Sequence, residues 1–172
     1  MNKKIKFDAL FFILLISFGC SIKSQELFVQ DVRGIYPIDS DRIWLTHEHI
    51  LVDFIGADSI QPNSWNHDSI FNEVIPYLEE LKEFSVNYFV DATPNYLGRD
   101  VYLLEKIAHK TGIKIVTNTG LYGARSNKFI PRYVQEISAE NLAKKWIDEF
   151  ENGIDKTSIK PGFIKIGIDD TI

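Results

Sequence analysis

Arg42-Ile43-Trp44-Leu45-Thr46-His47-Glu48-His49 is an apolar run that ends in two histidines one residue apart. Its β-branched and aromatic content predicts a strand over residues 42–46 that ends at His47. Strand side chains alternate between two faces. His47 and His49 therefore share a face, with Ile43 and Leu45 below them, and Trp44, Thr46 and Glu48 take the other. Two imidazoles on one face at a strand end can grip a divalent cation. The pair alone is a weak signal, because two unrelated surface histidines at a strand end read the same way.

Outward from this stretch the chain alternates between helical and strand patterns. Ile70, Val74, Leu78 and Leu81 predict a helix over 69–84, with a kink or break at Pro76. Residues 86–92 read as a strand bounded by Thr93-Pro94. Val101, Leu104, Ile107 and Ala108 share one face of a helix over 99–110, which Gly112 stops. A third strand follows over 113–119. Ser138 is the N-cap of a helix with Leu142, Trp146, Ile147 and Phe150 facing inward, closed by Gly153. A fourth strand covers 162–168. This alternation predicts an α/β fold with parallel strands and helical crossovers. Two architectures fit: a complete small doubly wound sheet, or about the first four βα units of a TIM (β/α)8 barrel, which takes about 250 residues when closed. The last strand is apolar and has no covering helix after it, an aggregation-prone edge that favours the incomplete barrel.

Composition narrows the class. The chain has 172 residues, a net charge of -5 and 45% hydrophobic residues, as expected of one soluble globular domain. No concentrated basic surface is present to bind nucleic acid. Residues 1–25 read as an export signal. Lys3, Lys4 and Lys6 precede a continuous apolar run over 9–16, far shorter than the ~20 residues of a bilayer span. Ser17-Phe18-Gly19-Cys20 resembles a bacterial lipobox, with Cys20 becoming a lipid-modified N-terminus; simple cleavage near Gln25 is the alternative. Either route carries residues 26–172 out of the cytoplasm, to the periplasm or to a membrane anchored through Cys20. Cys20 is the only cysteine, so no internal disulfide forms and packing must hold the fold.

Lys165 is the second residue of interest. In Gly162-Phe163-Ile164-Lys165-Ile166-Gly167-Ile168 the three isoleucines share one face, and Lys165 shares the other with Phe163 and Gly167. If the isoleucines pack under helices, the lysine points into the sheet's other side, where burial depresses its pKa. A neutral amine can take up carbon dioxide to form a carbamate, an anionic oxygen ligand. The alternative is a lysine that reaches out to solvent.

Taken in order, Leu45-Thr46-His47-Glu48-His49, Asp91 with Thr93-Pro94, Gly98-Arg99-Asp100-Val101, Thr119-Gly120-Leu121-Tyr122 and Gly162-Phe163-Ile164-Lys165 resemble successive motifs of the phosphotriesterase family of metal-dependent amidohydrolases. The likeness runs from about Val32 to Ile168. It implies a TIM barrel of amidohydrolase type with two divalent metal ions, zinc in the first instance. It implies that His47 and His49 bind the more buried ion and that carbamylated Lys165 bridges both. It places Tyr122 at the substrate pocket. It implies a metal-bridging hydroxide that attacks a small ester, lactone, amide or phosphotriester, in a protein that can form a homodimer. Gly98-Arg99-Asp100 takes a structural role, with Asp100 in the first helical turn.

The family's other ligands, two histidines after the fifth and sixth strands and an aspartate after the eighth, fall beyond Ile172. The resemblance therefore implies that residues 26–172 are the N-terminal half of the barrel and are inactive alone. His67, expected in the loop before the first helix, and His109, near the end of the second, are ordinary surface residues on this reading. Asp169 and Asp170 follow the fourth strand but match no ligand position. A different class of function also fits: a non-catalytic envelope lipoprotein with a degenerate hydrolase fold that binds a ligand or partner.

Overall fold

A computed structural model describes residues 26–61 and 64–169. The export signal, Cys20 and Asp170 lie outside the described residues. The described chain opens with a hairpin, β1 (Phe28–Asp31) and β2 (Gly34–Pro37), paired antiparallel. The alternating part follows: β3 (Ile43–Glu48), α1 (His67–Glu83), β4 (Val86–Asp91), α2 (Val101–Thr111), β5 (Lys114–Val116) and β6 (Asn118–Tyr122). Two short helical turns, α3 (Ala124–Asn127) and α4 (Arg132–Glu136), lead to α5 (Ala139–Asn152), a 3-10 turn at Ile154–Lys156 and β7 (Phe163–Gly167). Strands β3, β4 and β5 form one parallel sheet in that order, and β6 pairs parallel with β7. The α/β class and the parallel pairing expected from the sequence are both present. Among the described residues no helix is long and apolar enough to cross a membrane.

The helices start and stop where short polar side chains and glycines dictate. Asn66 caps α1 by accepting from the Ser69 amide at 2.9 Å. Pro76 sits inside α1 without ending it. Its ring lies on the exposed side, where water can satisfy the carbonyl that the ring leaves unbonded. Asp100 is the N-cap of α2, accepting from the Leu103 amide at 3.0 Å, so it lies one position outside the helix rather than in its first turn. Gly112 closes α2 at φ 75°, its amide bonded to the Ala108 carbonyl at 2.9 Å.

The main core lies between the β3–β5 sheet and helices α1 and α2. Leu78, Phe89, Leu104, Ile107 and Ile115 are buried there, and Leu45 packs against them. Each such side chain contributes about 1.5–3 kcal/mol relative to exposure. The hairpin is tied to the same body. The Val32 amide bonds the Ile115 carbonyl at 2.9 Å, and Arg33, paired with fully buried Asp31, donates to the carbonyls of Ala108 and Ile113.

Three expectations change. The strand expected at 113–119 is two strands with a break at Thr117, whose carbonyl turns to accept from the Gly162 amide at 2.8 Å. The isoleucine face of β7 is uncovered: Ile164, Ile166 and Ile168 are 51%, 60% and 72% exposed. On α5, Leu142, Trp146 and Phe150 are half-buried but Ile147 is 52% exposed, so its apolar stripe is only partly covered.

Candidate metal centre

The His47/His49 pair owes its direction to a bulge. Leu45 pairs with Phe89 and Glu48 with Asp91, so Thr46 and His47 face a single residue, Val90. The extra residue reverses the alternation. Leu45 consequently packs toward the helices, while His47 and His49 line a cavity on the sheet's other side. The sequence reading that set Leu45 below the histidines on one face is corrected by this bulge. Below it, Trp44 stacks flat on fully buried Tyr88, ring centroids 4.0 Å apart.

The cavity has a volume of about 280 Å³. His47, His49, Lys165 and Tyr122 supply its polar side, and Val52, Phe54 and Leu97 are among the apolar residues of its wall. The two imidazole centroids lie 5.4 Å apart, edge to face. Partial burial, the neighbouring His47 and the Lys165 charge push the His49 pKa below the usual histidine value, against a smaller opposing effect of Glu48. A depressed pKa keeps His49 neutral, the form that binds a cation.

Lys165 reaches the cavity because β7 runs close beside β6. Gly120 pairs with Lys165, and a Cβ at Gly120 would collide with the Lys165 carbonyl. Tyr122 pairs with Gly167, and its ring lies where a Gly167 side chain would be. Phe129, fully buried, supports Tyr122 and Phe54 from behind, each at a centroid distance of 5.7 Å.

Behind the histidines lies a buried polar network that the sequence reading did not find. Thr93 Oγ1 is 2.8 Å from His49 Nδ1. The Asp91 carboxylate accepts from the Thr93 amide at 2.8 Å. Burial pushes the Asp91 pKa up to about 6, although hydrogen bonds from Thr93 and from the Ile50 amide and the charge of Arg99 pull the other way. Asn118 Nδ2 bonds the carbonyls of both Asp91 and Thr93 at 2.9 Å. Arg99, its side chain fully buried, donates to the Asn118 carbonyl at 2.8 Å and forks onto Glu149 at 3.0 Å. The signal available in the sequence was the set of polar residues at strand ends, Asp91, Thr93 and Asn118. Only their partners give them meaning.

Two other residues take settled places. His67 is not in a loop: it is the first residue of α1, and its Nε2 is 2.6 Å from Asp100 Oδ2. His109 is exposed on the last turn of α2. A larger cavity, about 620 Å³, lies beside Trp65, Tyr96 and Arg99, away from the histidines. Of the charged groups in its wall, Arg99 pairs with Glu149 and Asp155, and Asp100 pairs with His67.

Two imidazoles and an amine at one cavity fit part of a coordination shell. No group of three or more His, Cys, Asp and Glu side chains converges among the described residues, so the set is incomplete without the lysine and further donors.

Fold and cavity together define a parallel α/β protein with histidines and a lysine gathered at strand ends. The model of the phosphotriesterase family matches residues 28–172, and the chain belongs to that family. It is 32% identical over 126 residues to the aryldialkylphosphatase of Saccharolobus solfataricus, covering 73% of this chain and 39% of that protein. It is 28% identical over 163 residues to the human N-acetyltaurine hydrolase, covering 79% of this chain and 46% of that protein. In structure it resembles a double mutant of organophosphorus hydrolase from Deinococcus radiodurans, with a TM-score of 0.69, 24% identity and coverage of 83% of this chain and 44% of the other. The chain thus spans less than half the length of these relatives.

Proposed function

We propose that this chain contributes the His47, His49 and Lys165 side of a metal-dependent hydrolase centre that acts on a small ester, lactone, amide or phosphotriester. The reading rests on one observation: the two imidazoles, the lysine amine and Tyr122 border a single cavity. On this proposal the strands and helices are the first four βα units of an eight-stranded barrel, and the remaining ligands come from residues outside this chain. His47 and His49 would hold one divalent ion, zinc in the first instance. The Lys165 amine, by giving up a proton and bonding carbon dioxide, would become a carbamate shared with a second. Such ions supply Lewis-acid polarisation of a C=O or P=O bond and lower the pKa of water. The chain's own residues would orient the substrate: Phe54, Val52 and Leu97 supply apolar wall, and Tyr122 borders the same cavity. The named substrates of the relatives, an aryldialkylphosphate and N-acetyltaurine, support a hydrolase without choosing between phosphoester and amide.

The same proposal places the protein at the cell envelope, with Cys20 lipid-modified; mass spectrometry of the mature N-terminus tests that part. Cobalt or zinc titration of the chain, with His47→Ala beside it, tests the centre. Binding that falls at least tenfold in the variant supports the reading, and equal binding overturns it. Residues 1–172 alone are expected to show no turnover; hydrolysis of a lactone or ester by them would overturn the division of the site.

A further inference from the structure

We propose that the outer face of the β1–β2 hairpin, formed by Phe28, Ile35 and Pro37, rests on a lipid bilayer and turns the His47/His49 cavity away from it. The placement rests on reading Cys20 as the residue that ties the chain to that membrane.

The hairpin has two unlike faces. Phe28 pairs with Pro37, Val29 with Tyr36 and Gln30 with Ile35. Strand alternation puts Val29, Asp31 and Tyr36 on one side and Phe28, Gln30, Ile35 and Pro37 on the other. The first side is held by the body of the protein. Asp31 is fully buried, and Lys114 on β5 lies over the Tyr36 ring, with Nζ 5.7 Å from the centroid. The second side is open. Phe28 is 55% and Ile35 69% exposed, and Pro37 is exposed with them. Leu27, just before the strand, is exposed as well. The open side carries no charged side chain.

Position selects what covers it. Cys20 and Phe28 are eight residues apart, a length of chain that spans at most about 29 Å when fully extended. A lipid on Cys20 therefore keeps the open face within that distance of the bilayer. An uncharged apolar face held beside a membrane is stabilised by entering the boundary between headgroups and acyl chains. Tyr77 and Phe84 on α1 and Ile164 and Ile166 on β7 are also exposed, but they lie much further along the chain from Cys20.

The hairpin sits at the end of the sheet opposite the cavity. Arg33 bonds the carbonyls of Ala108 and Ile113, where α2 leads into the N-terminal end of β5. His47 and His49 stand at the C-terminal end of β3, and β3, β4 and β5 run parallel. A docked hairpin leaves the cavity facing water, so that substrate reaches it from the aqueous phase.

The sole cysteine makes the test direct. Coupling the Cys20 thiol to a maleimide lipid tethers the chain that begins there to phosphatidylcholine vesicles, whether or not cells lipidate it. A carbene photolabel dissolved in the acyl layer marks what touches lipid, and peptide mass spectrometry locates the label. Peptides with residues 27–28 and 35–37 should carry about tenfold more label than those with residues 47–54, 77–84 and 164–168. Phe28→Ser with Ile35→Ser should bring the hairpin down to the level of those peptides. The urea midpoint should hardly move, because both side chains are already exposed. Hairpin peptides no more labelled than the others would overturn the proposal. That outcome includes a second copy covering the face, read as a dimer that Ile35→Ser separates. If Cys20 from cells carries no lipid but the tethered hairpin is labelled, the anchor reading falls and the lipid-binding face stands.

Discussion

Gly120 on β6 lies directly opposite Lys165 on β7, and with φ at 122° its backbone leaves no room for a side chain against the lysine carbonyl. The strand that carries the amine can therefore approach its neighbour only because position 120 is glycine. Gly120→Ala should cost at least about 1–3 kcal/mol from backbone strain alone, with strand separation added. Urea denaturation measures it. An unchanged midpoint would show that β7 is not held as described.

Phe129 supports the cavity from behind. It is fully buried between Phe54 and Tyr122. Phe129→Ala should destabilise the chain by about 3–5 kcal/mol. Phe129→Leu should recover a large part of that loss. Thermal melts of the two variants make the comparison.

The Arg99–Glu149 pair and the Lys106–Asp68 pair offer an internal contrast. Arg99 is fully buried, whereas Lys106 and Asp68 are 49% and 83% exposed. Glu149→Gln leaves a buried guanidinium with weaker compensation and should cost about 3 kcal/mol, the low end for a broken buried pair, since Glu149 retains some solvent contact. Asp68→Asn, at a solvent-exposed pair, should leave the urea midpoint nearly unchanged. Equal effects would mean that the buried network contributes no more than a surface pair.

Asp91 sets a pH dependence of unusual sign. Burial pushes its carboxyl up to about 6 in the folded chain, well above the ordinary aspartate value. The folded state thus binds this proton more tightly than the unfolded state. Stability from Asp91 is full below pH ~4 and is lost as pH rises to about 6, by roughly 3 kcal/mol. Asp91→Asn should flatten that part of the profile. Urea midpoints at pH 4, 5, 6 and 7 for both chains test it; a wild-type profile that matches the variant's across that range would contradict the burial of an ionisable Asp91.

Local rules carried much of the fold. Asn66 and Ser138 as caps, Gly112 and Gly153 as stops, and the apolar spacing of α1 and α2 are properties of short segments, governed by hydrogen bonds between near neighbours. The alternation of strands and helices predicted parallel pairing for the same reason: crossovers of that length leave few other arrangements. His47 and His49 could be named from their spacing on one strand and Lys165 from its place opposite the isoleucines, whereas Tyr122 could be named only through the family resemblance.

Tertiary structure decided how those side chains meet. Strand alternation alone put Leu45 on the histidine face, but a bulge depends on the register with β4, and register belongs to the partner strand as much as to the chain segment. Asp100 became a cap and a partner for His67, a residue 33 positions away. The break at Thr117 exists because β5 pairs with β4 whereas β6 pairs with β7. The sequence by itself determined the candidate groups His47, His49 and Lys165 and the elements that bear them, since strand and helix patterns follow from interactions over a few residues. Which way each group points was determined only when Glu149, Arg99, Asn118, Thr93 and His49 came together, because buried polar groups take the partners that the folded chain brings to them.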